Sequence, residues 1–306
     1  MKLSLSTNWC NRRLKTGEEI AEKALELGFD ELELGFHTPI DQVAGFRRML
    51  DRIPVGSVHA FCPVPISAPC GYPELYALAS LDEDQRALAR FHVKRNIEFA
   101  AEMGAQTVVL HAGRVSFGTF FNRSFSSGDL RSALSKVKGD LKHRAYRRML
   151  AQAMKVRRGR GRVLLDVFSR EIEALVPVLE RNGVTLALEN LPYLEGFPNE
   201  AEMARLQRLF RGAPVAAWFD TGHHRVRESH GWIRPHLAHG VRFAGMHLND
   251  VVDFNDDHLP PGEGKVDFAA LKPLARSVRH VVFEPNAGVP SESLRLAVAY
   301  IRELWA

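Results

Sequence analysis

The sequence predicts an α/β protein in which eight parallel strands, each followed by a helix, close into a (β/α)8 TIM barrel. Three observations lead there. Short apolar, β-branched segments alternate with amphipathic segments of helix length along the 306 residues, an order that gives a parallel sheet covered by helices. Eight such units fit the chain length, and α/β barrels of about 250 residues form single units. The stretch after the first strand, STNWCNRR, has no glycine-rich phosphate loop, which argues against an open doubly wound sheet.

The elements follow in order. Lys2 to Ser6 reads as the first strand. Thr16 to Leu27 is an amphipathic helix, with Thr16 as N-cap, Glu19 as its capping-box partner and Gly28 as its stop. Glu31 to Leu34 is the second strand, Pro39 to Ile53 the second helix and Ser57 to His59 the third strand. A loop bearing Pro and Cys leads to a helix from about Asp82 to Met103, closed by Gly104, and then to a strand at Thr107 to Leu110. The alternation breaks from Arg114 to Arg162. It resumes with a helix at Val163 to Asn182, a strand at Thr185 to Glu189 and a helix at Asn199 to Phe210. Val215 to Phe219 is the sixth strand and Ser229 to His239 the helix after it. Phe243 to Leu248, Phe268 to Arg276, His280 to Glu284 and Ser291 to Trp305 complete the last two units. The expectation is one barrel over residues 1–306 with an insertion at about 114–162. Barrel topology places that insertion on the face where strands end, and its start, GRVSFGTFFNRSFSSGD, has the composition of a mobile loop.

Composition narrows the class. A hydrophobic content of 45% suits a globular core, and no apolar run is long enough to predict a membrane span. The N-terminus has no signal-peptide core, and Cys10, Cys62 and Cys70 are too few and too odd for a disulfide framework, so a cytoplasmic location is expected. The net charge of +5 is unevenly spread. Between Arg131 and Arg162 stand twelve Lys or Arg and one acid, Asp140, a local balance of +11; the other 29 bases and 35 acids give −6. Such a segment can meet phosphates, remain a solvated helix pair, or pack on a sister subunit, which leaves a homo-oligomer open.

The segments VHAFCP, VVLHAG, LALEN, WFDTGHH, GMHLND and VVFEPN place His59, His111, Glu189, Asp220 with His223, His247 and Glu284 at strand ends. The loop NDDH adds Asp256 and His258. A parallel barrel collects the C-terminal ends of its strands on one face, so residues far apart in sequence can share an ion. Glu189, Asp220, His247 and Glu284 come from four successive strands and supply three carboxylates and one imidazole. That set suits a divalent Mn, Mg or Co ion, and also admits Zn. The ion would act as a Lewis acid on a carbonyl or alkoxide, and two glutamates from separate strands could move protons on opposite faces of a substrate carbon. Singly, a strand-end Glu is often a salt-bridge partner and a lone His a satisfied structural residue; the reading rests on their coincidence. Glu33 is expected to make a structural salt bridge, with a sugar hydroxyl as its alternative partner. Trp9, after Asn8, either stacks on a sugar or caps the barrel. Cys62 and Cys70 read as unreactive thiols, Arg225 and Arg227 as solvated helix-end charges or as contacts to a substrate phosphate or carboxylate, Trp218 and Phe219 as core, and Asp267 as an N-cap.

LALEN, FDTGHH, MHLND, DDHLPPGEGKVDF and VVFEP together resemble the xylose isomerase-like TIM-barrel superfamily, over nearly the whole chain except the basic insertion. That group includes sugar-phosphate isomerases and epimerases, ketose 3-epimerases and the endonuclease IV type of abasic-site nucleases (AP endonuclease family 2). In its isomerase and epimerase members the matching Glu, Asp, His and Glu hold one divalent metal. The resemblance therefore implies metal ligands Glu189, Asp220, His247 and Glu284, with Glu189 and Glu284 as the catalytic acid/base pair and His223 as a substrate contact. In the nuclease members nine side chains hold three zinc ions. His59, His111, Glu189, Asp220, His223, His247, Asp256, His258 and Glu284 match that set, with Glu189 bridging two ions and His223, Asp256 and His258 on a third.

A sugar or sugar-phosphate substrate and one divalent metal are the favoured expectation, with a three-zinc DNA nuclease as the alternative. The loop FCPVPISAPCGYPE lacks, at the expected places, the tyrosine and asparagine that approach DNA in the nucleases. The paired prolines of HLPPGEGKVDF are closer to the epimerase type, and the acidic barrel body is a poor DNA surface. A non-catalytic metal-binding module on the same scaffold is the third reading.

Overall fold

The barrel strands are β1 (Ser4–Ser6), β2 (Glu31–Leu34), β3 (Val55–His59), β4 (Thr107–Leu110), β5 (Thr185–Glu189), β6 (Val215–Asp220), β7 (Phe243–Leu248) and β8 (His280–Phe283). All neighbours pair in parallel, and the order β1-β8-β7-β6-β5-β4-β3-β2 closes the ring. This is a computed structural model, and it describes residues 1–120, 123–233, 241–252, 254–255 and 258–306.

Strand periodicity explains how the interior is built. Side chains two apart share a face. Val109, Ala187, Trp218 and Val282 form a small buried cluster inside the ring. Two positions further along each of these chains stand His111, Glu189, Asp220 and Glu284. An apolar layer thus forms the floor, and the next inward layer carries the charged groups. Gly245 makes room for this floor: a Cβ there would lie 2.3 Å from the Trp218 ring. His247 follows two residues later and packs edge-on to that indole, with ring centroids 5.1 Å apart. The register opposes Asp220 to His247 and Trp218 to Glu189, so Asp220 sits two residues beyond Glu189 toward the mouth.

The outer layer comprises α1 (Gly17–Glu26), α2 (Ile40–Met49), α3 (Glu83–Glu102), α4 (Ser127–Lys136), α5 (Arg144–Asn182), α6 (Glu200–Leu209), α7 (Thr221–Ser229), α8 (Phe268–Ser277) and α9 (Ser291–Trp305). The Thr16–Glu19 capping box of α1 is present, and Asp267 caps α8 by accepting from the Ala270 N–H. Trp218 and Phe219 are core residues, as expected. No helix among the described residues is long and apolar enough to cross a membrane.

Three elements differ from the sequence expectation. The helix expected over Val163–Asn182 begins at Arg144 and runs for 39 residues. Gly159 and Gly161 do not interrupt it, because the turn is held by the buried Arg157, which bonds Glu202 and the carbonyls of Leu194 and Gly196. The expected mobile start of the insertion contains short antiparallel pairings, Gly113–Arg114 with Gly196–Phe197 and Thr119–Phe120 with Arg123–Ser124. Helix α4 follows, capped by Ser126. Around the start of the helix expected over Ser229–His239, the described residues instead hold α7, which begins at Thr221 because Asp220 caps it and stops before Gly231, where φ is +69°. Residues 234–239 of that expectation lie outside the described residues.

Candidate metal centre

Glu189, Asp220, His247 and Glu284 converge at the C-terminal mouth, each offering a ligand atom within 4.8 Å of the others'. All four are buried. In an octahedral site with bonds near 2.1 Å, neighbouring donors lie about 3.0 Å apart and opposite donors about 4.2 Å. The three distances from His247 Nδ1 to carboxylate oxygens of Glu284, Glu189 and Asp220, 3.2, 3.4 and 3.7 Å, fall in that range.

The hydrogen-bond pattern tells which atoms face the centre. His247 Nε2 lies 3.1 and 3.2 Å from the two carboxylate oxygens of Glu33. A carboxylate only accepts, so Nε2 carries the proton and Nδ1 presents a lone pair in the neutral ring. That Nδ1 has no hydrogen-bond partner and faces Glu284 Oε2 at 3.2 Å, Glu189 Oε1 at 3.4 Å and Asp220 Oδ2 at 3.7 Å. Glu189 Oε1 is likewise buried without a hydrogen-bond partner. A lone pair enclosed by three carboxylates calls for a cation between them, either a proton on Nδ1 or a metal ion in its place.

The electrostatics agree. Burial pushes the His247 pKa down, but Glu284, Glu33 and Glu189 outweigh it and hold it well above the ordinary value. Burial pushes Glu189 up, yet His247 and His111 win and keep its carboxyl well below the usual range. Asp220 is raised, by burial first and by Glu189 as well.

Neighbouring residues fix the ligands. Asp220 Oδ1 accepts from the His223 N–H at 2.6 Å and so caps α7, while Oδ2 accepts from Asn249 at 2.7 Å. A Cβ at Gly222 would lie 1.7 Å from Asn249 Oδ1, so glycine is required beside this contact. Asn190 laces β5 to β6 through the Asp220 backbone in both directions. Asn8 donates to Glu284 Oε1 at 3.4 Å. Asp250 accepts four backbone N–H groups, from Val251, Gly262, Gly264 and Val266, and thereby shapes the PPGEGK loop.

A second group adjoins the first. His59 Nε2 and His111 Nε2 each lie 3.2 Å from Glu189 Oε2. His59 Nδ1 donates to the Ala60 carbonyl at 3.0 Å, which leaves Nε2 as a lone pair in the neutral ring. Burial lowers the His111 pKa, but Glu189 and Glu74 raise it to about 9. His59, His111 and Glu189 form a three-donor set of metal-binding size. His223 Nδ1 donates to the Asn190 carbonyl at 2.8 Å and lies 3.2 Å from Glu189 Oε1. His258 Nδ1 donates to the Glu284 carbonyl at 2.8 Å. Asp256 lies outside the described residues.

The remaining candidates resolve as structure. Glu33 is fully buried between His247 and Ser57, so its role is to orient an imidazole. Sequence reasoning credited it with a salt bridge but had no signal for its partner, which lies 214 positions away. Trp9 caps the barrel: it is buried and donates to the Val289 carbonyl. Arg225 pairs with Glu228 and Arg227 with Glu200. Burial raises the Cys62 thiol pKa, and all three cysteines are unpaired.

Comparison with known proteins bears on the fold and the family. The family model described as the xylose isomerase-like TIM barrel matches residues 21–303. No curated protein sequence matches the chain. Among solved structures, a D-tagatose 3-epimerase-like protein superposes with a TM-score of 0.63 at 19% identity, covering 100% of each chain. The 3-keto-D-glucoside 4-epimerase of E. coli, in its apo form, gives 0.65 at 17% identity over 99% of each chain. A D-psicose 3-epimerase gives 0.63 at 15% identity, over 100% of this chain and 99% of that one. At these identities the likeness is one of fold.

Proposed function

The chain belongs to the xylose isomerase-like TIM barrel family, and we propose that it is a divalent-metal-dependent sugar or sugar-phosphate isomerase or epimerase. The observation that carries this reading is the His247 Nδ1 lone pair facing Glu284, Glu189 and Asp220, with the two glutamates brought in by separate strands. The sugar epimerases among the structures sharing its fold support it.

The donor set fits Mn, Mg or Co, with Zn admitted, and an ion bound there would supply Lewis-acid polarisation of a substrate carbonyl. The protein does the rest. Glu189 stays ionised because His247 and His111 hold its pKa down, so it can act as a base at the carbon next to that carbonyl. Glu284, steadied by Asn8, is the second carboxyl, returning a proton to the same carbon or its neighbour. The test is solvent deuterium incorporation into a panel of keto- and aldo-sugars with Mn, Mg or Co present. Exchange is expected with the wild type and should fall by about a hundredfold or more in Glu284→Gln. No exchange on any sugar would overturn the reading.

One observation favours a second reading, a zinc-dependent abasic-site endonuclease: His59 and His111 both converge on the Glu189 oxygen that could bridge two ions. It requires about three zinc ions per chain and incision of duplex DNA at abasic sites. One ion per chain with no salt-sensitive DNA binding would eliminate it.

A further inference from the structure

A cavity of about 270 Å³ opens beside Glu284, lined by Asn8, Arg12, Phe36, His37, His258 and the Pro285–Ala287 turn. Arg12 is the unusual member. Nearby, Arg47, Arg48 and Arg52 pair with Glu102, Glu18 and Glu22, and Arg13 is held by the Trp9 carbonyl and ring. Arg12 has no acidic partner among the described residues, and its hydrogen bond goes to His37 Nδ1 at 3.4 Å. A guanidinium only donates, so His37 accepts through Nδ1 and carries its own proton on Nε2. The His37 backbone N–H is tied to Asn8 Oδ1 at 3.0 Å, and the Asn8 amide reaches Glu284. The chain therefore places Arg12 and His37 in the lining of the same cavity as a proposed catalytic carboxylate.

From this juxtaposition we propose that Arg12, with His37, forms a subsite for an anionic group of the substrate, a phosphate or a carboxylate carried on the sugar chain. It rests on the isomerase or epimerase reading only in taking Glu284 as the group beside the reacting carbon. The physical need is clear. Three carboxylates and one divalent ion sum to −1, which repels an anionic substrate at close range; one unpaired guanidinium offsets it. The planar fork of arginine also suits bidentate binding of either anion. His37 is kept neutral by burial and by Arg12 itself, with a pKa near 4, so the imidazole contributes a hydrogen bond without adding charge.

The test is isothermal titration of the full-length protein, in Mg2+, with glycerol 1-phosphate, glycerate and glycerol. At least one anion should bind saturably where glycerol does not, and the stronger of the two identifies the group. Arg12→Ala should weaken that binding by about tenfold or more, with Arg12→Lys between. The double variant Arg158→Ala and Arg162→Ala, on the basic insertion, should leave it unchanged. Equal binding by wild type and Arg12→Ala, or loss only in the insertion variant, would overturn the proposal. Loss in Arg12→Ala together with no deuterium exchange on any sugar would keep the subsite and sink the isomerase reading. Exchange on neutral sugars with anion binding indifferent to Arg12 would do the reverse.

Discussion

Glu33 shows how a residue distant in sequence can govern the centre. Its carboxylate holds the Nε2 proton of His247 and turns Nδ1 toward the cluster. Such outer partners of a ligating histidine change metal affinity without touching the ion. Glu33→Gln should therefore weaken Mn2+ or Zn2+ binding by about ten- to a hundredfold in a chelator competition titration. Unchanged affinity would mean that packing alone orients the ring. A second prediction concerns His280, buried at the start of β8 with neither ring nitrogen bonded. Burial lowers its pKa from 6.5 to about 4, against the opposing pull of Glu31. Between those values the unfolded chain binds a proton that the folded state refuses, so stability falls as pH drops from 6.5 to 4, by on the order of 3 kcal/mol. Urea unfolding at pH 7 and pH 5 should show a steeper loss for the wild type than for His280→Gln. Parallel slopes would contradict this. The four proposed ligands were legible in the sequence because each ends a hydrophobic strand. Glu33 was visible as a strand-end acid, whereas its imidazole partner was set by barrel closure and left no local trace.

At the scale of elements, α7 joins structure to chemistry through Asp220, which both faces the centre and caps the helix. These roles separate by substitution. Asparagine is also a good N-cap, so Asp220→Asn should keep the melting temperature within a few degrees while metal affinity drops. Asp220→Ala should lose affinity and, in addition, about 1 kcal/mol of cap. If Asp220→Asn bound metal as the wild type does, the carboxylate would not be a ligand. The strands and most helices were predictable from periodicity and caps. The missed boundaries have physical causes. Helix α5 extends back to Arg144 because a buried Arg157–Glu202 pair secures a turn rich in glycine. Helix α7 begins at the strand end itself because the residue proposed to bind metal is also its cap.

For the whole molecule, the ring closure matters more than any single contact. Parallel pairing, with a two-residue stagger between β5 and β6, lifts Glu189, Asp220, His247 and Glu284 onto one apolar floor. The basic segment was legible as charge, but only the fold distinguishes its members. Arg157 is buried and satisfied, while Arg158 and Arg162 remain exposed on α5. Because three carboxylates repel one another in a buried site, the bound ion should stabilise the fold. Chelation is expected to lower the melting temperature, and excess Mn2+ at about a hundred times its dissociation constant to restore about 2.7 kcal/mol. No shift with chelator would argue against a structured cation site.

The most direct measurement is an anomalous difference map from crystals soaked in Mn2+. The account predicts one strong peak bonded to Glu189, Asp220, His247 and Glu284 at about 2.0 to 2.4 Å. A map with no peak among those four side chains, or with manganese only elsewhere, would contradict it.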